Sequence, residues 1–279
     1  MTLRQAWCSF SDHDIEVLNV LYRKILRLIT GAHRKTPSEM LYLETGALKI
    51  SHVIAVRRLM FLRNTLERHD DEVVKKVYIA QKKNPSKGDW VTKVTEDLEK
   101  YNLNLNDEDI IKLTEIDYKN KVKTSVREKA FEEFITILNG HDKVKQIQYE
   151  NMNEPQKYFG SKMLNNKQRS LLMNLRCKTV RGVRNNFHTF YKSEIFCPFK
   201  CKSEKDSQEH MLQCHGILSY LTIGQQEELS TVKYSDLFGS IQQQSKITQV
   251  FQFLLKIRYR LLENTQQPAY HGNSSGPID

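Results

Sequence analysis

The sequence predicts an all-α protein that carries one small metal-binding module. Three observations support this fold class. Apolar residues recur with the helical period in several separate segments, and capping residues stand where these segments begin. Three of the five cysteines fall within one short stretch near residue 200. With 279 residues, of which 39% are hydrophobic, the chain is long enough for one large domain or two small ones.

The first predicted region is helical and covers residues 1–141. Its first helix begins at Ser11 or Asp12 and ends before Gly31, because a glycine suits the position after a helix. The residues predicted to form the apolar stripe of this helix are Ile15, Leu18, Leu21, Tyr22, Ile25, Leu28 and Ile29. Further helices are predicted to begin near Thr36, Ser51, Asp71, Asp89 and Asn106, and a long one covers 117–138.

An irregular linker is predicted over 142–165, where the periodic pattern is weak. The second region, 166–263, contains a basic helix, a zinc-knuckle-like module at 190–216 and an amphipathic C-terminal helix over Ile241–Glu263. We expect this last helix to pack on its own domain, although pairing with a partner is the alternative. The tail 264–279 is predicted to be disordered because it is rich in Gln, Pro, Gly and Ser.

The spacing C-x3-C-x8-H-x3-C predicts a structural zinc site. Its candidate ligands are Cys197, Cys201, His210 and Cys214. Two cysteines on a tight turn, together with a His and a Cys one helical turn apart, can supply the four tetrahedral ligands of Zn²⁺. A pair of buried free thiols beside an unrelated histidine is the alternative interpretation. His215 could also compete with the predicted histidine ligand.

Nearly all of the net charge of +10 is concentrated beside this module. Between residues 161 and 202, ten basic side chains stand against one acidic side chain, Glu194. Such a field beside a metal site is expected for a polyanionic partner, RNA or DNA, whereas a solvated basic face is the alternative. The residues predicted to bind nucleic acid are Arg169, Arg176, Lys178, Arg181, Arg184, Lys192, Lys200 and Lys202. Aromatic residues within 183–192 could stack on unpaired bases or belong to a core.

The sequence also indicates in which cellular compartment the protein is located. No apolar run approaches the roughly 20 residues that span a bilayer, so no membrane partner is expected. The N-terminus lacks a continuous apolar signal region, and the clustered cysteines favour a metal site in a reducing compartment over a disulfide framework. We therefore expect an intracellular protein, and a nuclear location is compatible with this expectation.

Five motifs occur in one order along the chain. They are Leu41–Gly46, Arg57–Leu62, Ala80–Trp90, Leu171–Arg176 and the Cys/His stretch Cys197–Cys214, which includes Ser207-Gln208-Glu209-His210. Together they resemble the C-terminal region of LINE-type (non-LTR) retrotransposon reverse transcriptase proteins, and the resemblance extends from near Asp14 to near Leu262.

This resemblance implies a helical region downstream of the polymerase that ends in a zinc-knuckle-like module. The module would help to hold the RNA template or the target DNA, and the remainder of the polymerase chain would be a further partner. The Tyr-x-Asp-Asp motif of the polymerase palm is absent, so we expect no catalytic residue and no enzymatic activity. The alternatives are a translated relic without function and a helical protein-interaction module.

A nuclease is the remaining enzymatic alternative, since some relatives in that family place one after the Cys/His stretch. Such a site needs at least two carboxylates that converge on a divalent metal. The acidic residues after Cys214 are Glu227, Glu228, Asp236, Glu263 and Asp279. None stands in a Pro-Asp context followed by Asp-x-Lys, and the sequence therefore does not favour this activity.

Overall fold

The computed structural model describes residues 11–141, 147, 149–150, 152–180, 183, 196–199, 201 and 204–266, the last with side chains to Glu263. The chain divides into two compact units. The first comprises Met1–Ile29 and Pro37–Gln156, and the second comprises Thr30–Thr36 and Lys157–Asp279. Helices make up the regular structure of the described residues, apart from an isolated antiparallel bridge between Phe196 and Lys205. The predicted all-α class is confirmed.

The helices before Gln156 agree closely with the helical periodicity of the sequence. They are α1 (Asp12–Thr30), α2 (Ser38–Thr45), α3 (Ile50–Leu66), α4 (Val73–Lys83), α5 (Trp90–Lys100), α6 (Asp107–Lys112) and α7 (Glu115–Asn139). The predicted caps Asp89 and Asn106 both accept a backbone N–H bond at the start of their helices. The acidic residues after Asn106 lie in the first turn of α6, where they favour the helix dipole.

The core of the first unit forms around α3 and α7. The long helix α7 buries one residue in every turn, and its buried residues are Tyr118, Val122, Val126, Ala130, Phe134 and Leu138. Tyr118 donates its hydroxyl to the Leu59 carbonyl of α3, at 3.0 Å. Helix α2 packs on the same helix, with the Tyr42 and Phe134 rings stacked at 5.1 Å. A spacing of four residues therefore gives α7 a single continuous apolar stripe.

In the first predicted region, one predicted cap is wrong and one predicted apolar stripe is only partly buried. Thr36 does not cap α2, because Pro37 occupies the cap position without a side-chain bond. In α1, only part of the predicted stripe is buried: Ile15 lies in the interior, whereas Leu21, Ile25, Leu28 and Ile29 are exposed. The periodicity identified the helix, but it could not show which of its two apolar faces the fold covers.

The second unit contains shorter helices and one long one. They are α8 (Lys157–Gly160), α9 (Asn166–Arg176), α10 (Gln208–Met211), α11 (His215–Leu218), α12 (Ile223–Ser230), a 3₁₀ turn (Tyr234–Phe238) and α13 (Ile241–Gln266). Within the predicted linker 142–165, Lys157–Gly160 is helical, while residues 142–146, 148 and 151 lie outside the described residues.

Helix α13 packs on the core of its own unit. Ile247, Phe251 and Leu254 of this helix are fully buried and belong to one apolar cluster with Leu172, Leu175 and Ile217. The helix continues to Gln266, so the first three residues of the predicted tail are helical. The remainder of that tail lies outside the described residues. Among the described helices, none has the length and apolarity needed to cross a membrane.

Candidate metal centre

The four predicted ligands converge at one point in the second unit. One ligand atom from each of Cys197, Cys201, His210 and Cys214 lies within 4.8 Å of all the others. The Cys214 sulfur is 3.5 Å from the Cys197 sulfur and 3.6 Å from the Cys201 sulfur. A tetrahedral zinc with bonds of about 2.3 Å holds its sulfurs roughly 3.8 Å apart, whereas a disulfide brings them to about 2.05 Å. The spacing therefore fits ligands of one metal ion and not a disulfide.

The first two ligands stand on a tight turn that the backbone closes. Cys197 donates its N–H to the Glu204 carbonyl at 2.8 Å, and Glu204 donates to the Cys201 carbonyl at 3.1 Å. The bridge between Phe196 and Lys205 extends the same hairpin-like arrangement. These bonds hold the two cysteine backbones at opposite ends of one small loop, as the sequence predicted for a metal-binding turn.

The second two ligands belong to successive short helices rather than to one helix. The Ser207 hydroxyl caps α10 by accepting the His210 N–H at 3.0 Å. Helix α10 ends at Met211, and Cys214 is the cap residue of α11. The expectation that His210 and Cys214 share one helix face is therefore corrected. A turn between the two short helices, closed by the bond from the Gln213 N–H to the His210 carbonyl, brings these ligands together.

Backbone N–H groups and burial act differently on the three thiols. Burial favours the neutral form of Cys201, but N–H groups that include that of Gly216 outweigh it and lower the pKa of this thiol. Burial raises the pKa of Cys197 and raises the pKa of Cys214 to about 12. Three thiols so close together cannot all ionise without a nearby positive charge. A bound metal cation would supply that charge and stabilise the thiolates.

The fourth ligand is a histidine that is suited to a metal. Burial lowers the pKa of His210, which keeps the imidazole neutral. Its Nε2 atom is buried and has no hydrogen-bond partner within the described part of the chain, and a buried polar atom of this kind is costly to leave unsatisfied. His215, the competing candidate, has an exposed side chain and is not among the converging ligands. The residues present therefore fit a Cys₃His metal site.

Gly216 allows helix α11 to approach the first ligand turn. A Cβ atom at this position would lie 2.2 Å from the Cβ atom of Phe199, which stands between the first two cysteines. Only a residue without a side chain leaves room for that contact. Sequence reasoning missed Gly216, although a glycine two residues after a ligand cysteine was a visible signal.

A buried ion pair joins helix α13 to the segment that carries the ligands. Arg258 donates to Asp206 at 2.8 Å, and their side chains are only 2% and 1% exposed. The Arg258 guanidinium also lies 5.6 Å from the centre of the Phe199 ring. Sequence reasoning missed this pair. The available signal was an arginine within the apolar face of a predicted amphipathic helix.

The basic residues predicted to bind nucleic acid do not form one exposed group in the described part of the chain. Arg176 is buried, donates to the Leu237 carbonyl at 2.8 Å and stacks over the Phe238 ring at 4.8 Å. Its assignment as a nucleic-acid contact is therefore corrected, because an interior guanidinium cannot reach a phosphate. Its position in the last turn of α9 explains the error, since this residue type is usually exposed there.

The other described candidates have local partners. Arg169 donates to the Ser161 carbonyl at 2.6 Å, and Lys178 pairs with Glu209 at 3.0 Å. The remaining candidates, Arg181, Arg184, Lys192, Lys200 and Lys202, lie outside the described residues. The aromatic segment 183–192 also lies outside them except for Val183, which is buried. Whether these side chains bind a polyanion stays a prediction.

Comparisons with known proteins identify no relative: no family model, no curated protein and no solved structure matches this chain. The chemistry of the Cys/His cluster and the charge of the sequence around it are therefore the features that bear on function.

Proposed function

We propose that this protein binds one Zn²⁺ ion through Cys197, Cys201, His210 and Cys214, and that the zinc-organised module binds single-stranded RNA or DNA. In this proposal the chain is a non-catalytic, retrotransposon-derived relative of the region downstream of a reverse transcriptase polymerase. The convergence of four ligand atoms within 4.8 Å of one another carries the proposal.

The donor set favours zinc among the common metal ions. Three thiolates and one neutral imidazole are soft or borderline ligands, which suit Zn²⁺ and do not suit Mg²⁺ or Ca²⁺. Four protein ligands complete a tetrahedron, so no position remains for a water or a substrate. Structural zinc sites have this closed form, whereas catalytic ones keep an open position. The site therefore supports a structural role for the metal.

The metal would hold together a segment that has little regular structure of its own. The helices α10 and α11 have four residues each, which is too short for stability without tertiary contacts. A zinc ion would join the turn at Cys197 and Cys201 to both helices, and its binding free energy would contribute directly to folding. The module would then present the adjacent basic segment in a defined orientation.

The support for nucleic acid is the charge of the segment that leads into the module. Five of the predicted basic contacts lie at 181–202, with one acidic residue among them. Lys162 and Lys167, nearer the start of the same basic stretch, are exposed. Contacts of this type bind phosphates without sequence preference and weaken as salt rises. The proposal also predicts an intracellular protein that is compatible with a nuclear location.

The first test is the metal content of the purified full chain, measured by inductively coupled plasma mass spectrometry. We expect one zinc per chain in the wild type and a large loss in Cys201→Ser. Cys177→Ser is the matched control, because Cys177 is a buried cysteine of the same unit that stands outside the cluster. A folded wild-type protein without zinc, or equal loss in both variants, would refute the metal site.

The second test is fluorescence anisotropy with a labelled single-stranded RNA and its DNA equivalent at increasing salt. We expect the logarithm of the affinity to fall linearly with the logarithm of salt concentration. The combined substitution of Arg181 and Arg184 by Ser should reduce the slope by about 2. Lys87→Ser, in a polar loop of the first unit, should leave it unchanged. An affinity independent of salt would exclude nucleic-acid binding while leaving the zinc site intact.

A further inference from the structure

Helix α1 carries an apolar face that is exposed in the described part of the chain. The exposed residues are Val17, Val20, Leu21, Ile25, Leu28 and Ile29. Leu28 is 83% and Ile29 is 74% exposed, values that are unusual for such large side chains on one helix. Residues 17, 21, 25 and 28 are separated by three or four positions, so they form one continuous stripe. Scattered exposed apolar residues need no explanation, but a contiguous stripe indicates an interaction site.

The opposite face of α1 is already anchored to its own unit. Ile15 and Leu26 are buried, and the buried Asn19 accepts the N–H of Ile50 at 2.9 Å. These residues lie on one face of α1, and the bond to Ile50 attaches α1 to the first residue of α3. The exposed stripe is therefore presented by an anchored helix and is not the inner face of a detached one.

Charge along α1 is strongly polarised. Its acidic residues, Asp12, Asp14 and Glu16, occupy the first turns, and its basic residues, Arg23, Lys24 and Arg27, occupy the last turns. Lys24 lies between the exposed Val20 and Leu28 and is itself exposed. This order favours the dipole of the isolated helix. Glu16 and Arg23 already pair with each other at 2.9 Å, so the charges that border the exposed stripe are Asp14 near its start and Lys24 further along. These two charges are complementary to those of a second copy that runs in the opposite direction.

We propose that the exposed stripe of α1 pairs with the same stripe of a second copy of this chain, in antiparallel orientation and about a twofold axis near Leu21. A twofold interface uses the same surface patch on both partners, so the patch must be complementary to itself. Antiparallel pairing sets Asp14 of each copy towards Lys24 of the other, whereas parallel pairing would place like charges together. The helix dipoles also oppose one another in this arrangement.

The expected contact is small, because one helix stripe buries less than a standard interface of about 800 Å² per partner. We therefore expect a dimer that forms at roughly 1 to 100 µM protein and dissociates on dilution. This inference does not depend on the metal site or on nucleic-acid binding. Substitutions at the zinc ligands test the proposed function separately.

Sedimentation-velocity centrifugation of the full chain over that concentration range tests the pairing. Leu28→Glu should weaken self-association on the order of tenfold or more, because it places a carboxylate beside the partner's acidic first turns. Its high exposure in the single chain means that folding should be retained, as circular dichroism would verify. Ile116→Glu is the matched control, since Ile116 is an isolated apolar residue of the same unit that is 70% exposed. A wild-type monomer throughout the range, or equal weakening in both variants, would overturn the proposal.

Chemical cross-linking tests the antiparallel orientation of the two α1 helices. A zero-length carbodiimide reagent should couple Lys24 to Asp14 in the covalent dimer, and peptide mass spectrometry would identify the link. Ten residues of helix separate these positions by about 15 Å, so a zero-length link between them must join two chains. A covalent dimer that instead lacks any link between the first and the last turns of α1 would exclude the antiparallel arrangement.

Discussion

The long helix α7 and the Cys/His module obtain their order in different ways. Helix α7 buries an apolar residue in every turn over 25 residues, so packing alone can hold it in place. The module consists of a turn and two four-residue helices, and its ligand side chains converge on a point instead of forming a stripe. One part of the chain is thus ordered by hydrophobic burial, whereas the other brings together four side chains that could hold a metal ion.

Removal of the metal should produce the largest difference in stability between the Cys/His module and helix α7. A chelator should abolish hydrogen-exchange protection over 204–218, because the thiols and His210 lose the ion that joins them. Protection over 118–138 should be retained. Mass-spectrometric hydrogen exchange with and without chelator provides the measurement, and added zinc should restore the protection. Equal loss in both regions would mean that the first unit also depends on the metal.

The buried ion pair offers the next largest effect. Arg258→Met should lower the free energy of unfolding of the second unit by about 3 to 5 kcal/mol, because it leaves the Asp206 carboxylate buried without its cation. Denaturant titration followed by a probe in that unit would measure the loss.

The double variant Arg258→Met with Asp206→Leu provides the control, since it removes both charges together. It should recover most of the lost stability. If the double variant is as unstable as the single one, the pair acts through packing and not through charge.

A buried histidine makes the first unit sensitive to acid. His52 is fully buried beside Tyr101, with Nδ1 2.9 Å from the tyrosine hydroxyl oxygen. Burial lowers the pKa of His52 to about 4, although the nearby Glu133 opposes this shift. The unfolded chain therefore binds more protons between pH 4 and the ordinary value of 6.5.

The stability that His52 contributes is thus complete above pH 6.5 and is lost as the pH falls towards 4. The loss should be about 3 kcal/mol for the first unit. Thermal unfolding at several pH values would measure it, and His52→Gln should flatten the dependence in this window. An unchanged pH dependence in that variant would assign the effect to other groups.

The smallest expected effect concerns the fit between α11 and the ligand turn. Gly216→Ala should cost about 1 to 3 kcal/mol, because the added methyl group meets Phe199. The same change at Gly224 meets no atom within 4 Å and provides the control. Zinc affinity measured by competition with a chromogenic chelator should fall for the first variant alone. Equal affinities would show that the turn can yield to the methyl group.

Local signals in the sequence predicted what local interactions determine. The caps Asp89 and Asn106, the stripe of α7 and the ligand spacing all depend on residues close together in the chain, and the structure confirms the elements that they define. The course of the chain from His210 to Cys214 was predicted wrongly as one helix, because a spacing of four residues fits one helix as well as two short ones.

Features that depend on distant residues were missed or predicted wrongly. Arg258 and Asp206 are separated by 52 positions, and no local pattern announces their pairing. The interior position of Arg176 depends on the Leu237 carbonyl, which is 61 positions away. The exposure of much of the apolar stripe of α1 was not predicted, because apolar periodicity does not reveal whether another element covers a helix face.

The pairing of Arg258 with Asp206 makes the order of synthesis important for this unit. A ribosome incorporates the aspartate 52 residues before the arginine, so the nascent chain carries an acid for which the matching cation has not yet been made. A transcript that stopped before codon 258 would yield a chain with all four metal ligands but without this cation. Such a chain would bury the Asp206 carboxylate without the Arg258 guanidinium, and its second unit should be less stable. The Asp206 carboxylate therefore cannot pair with its buried guanidinium until Arg258 has been synthesised.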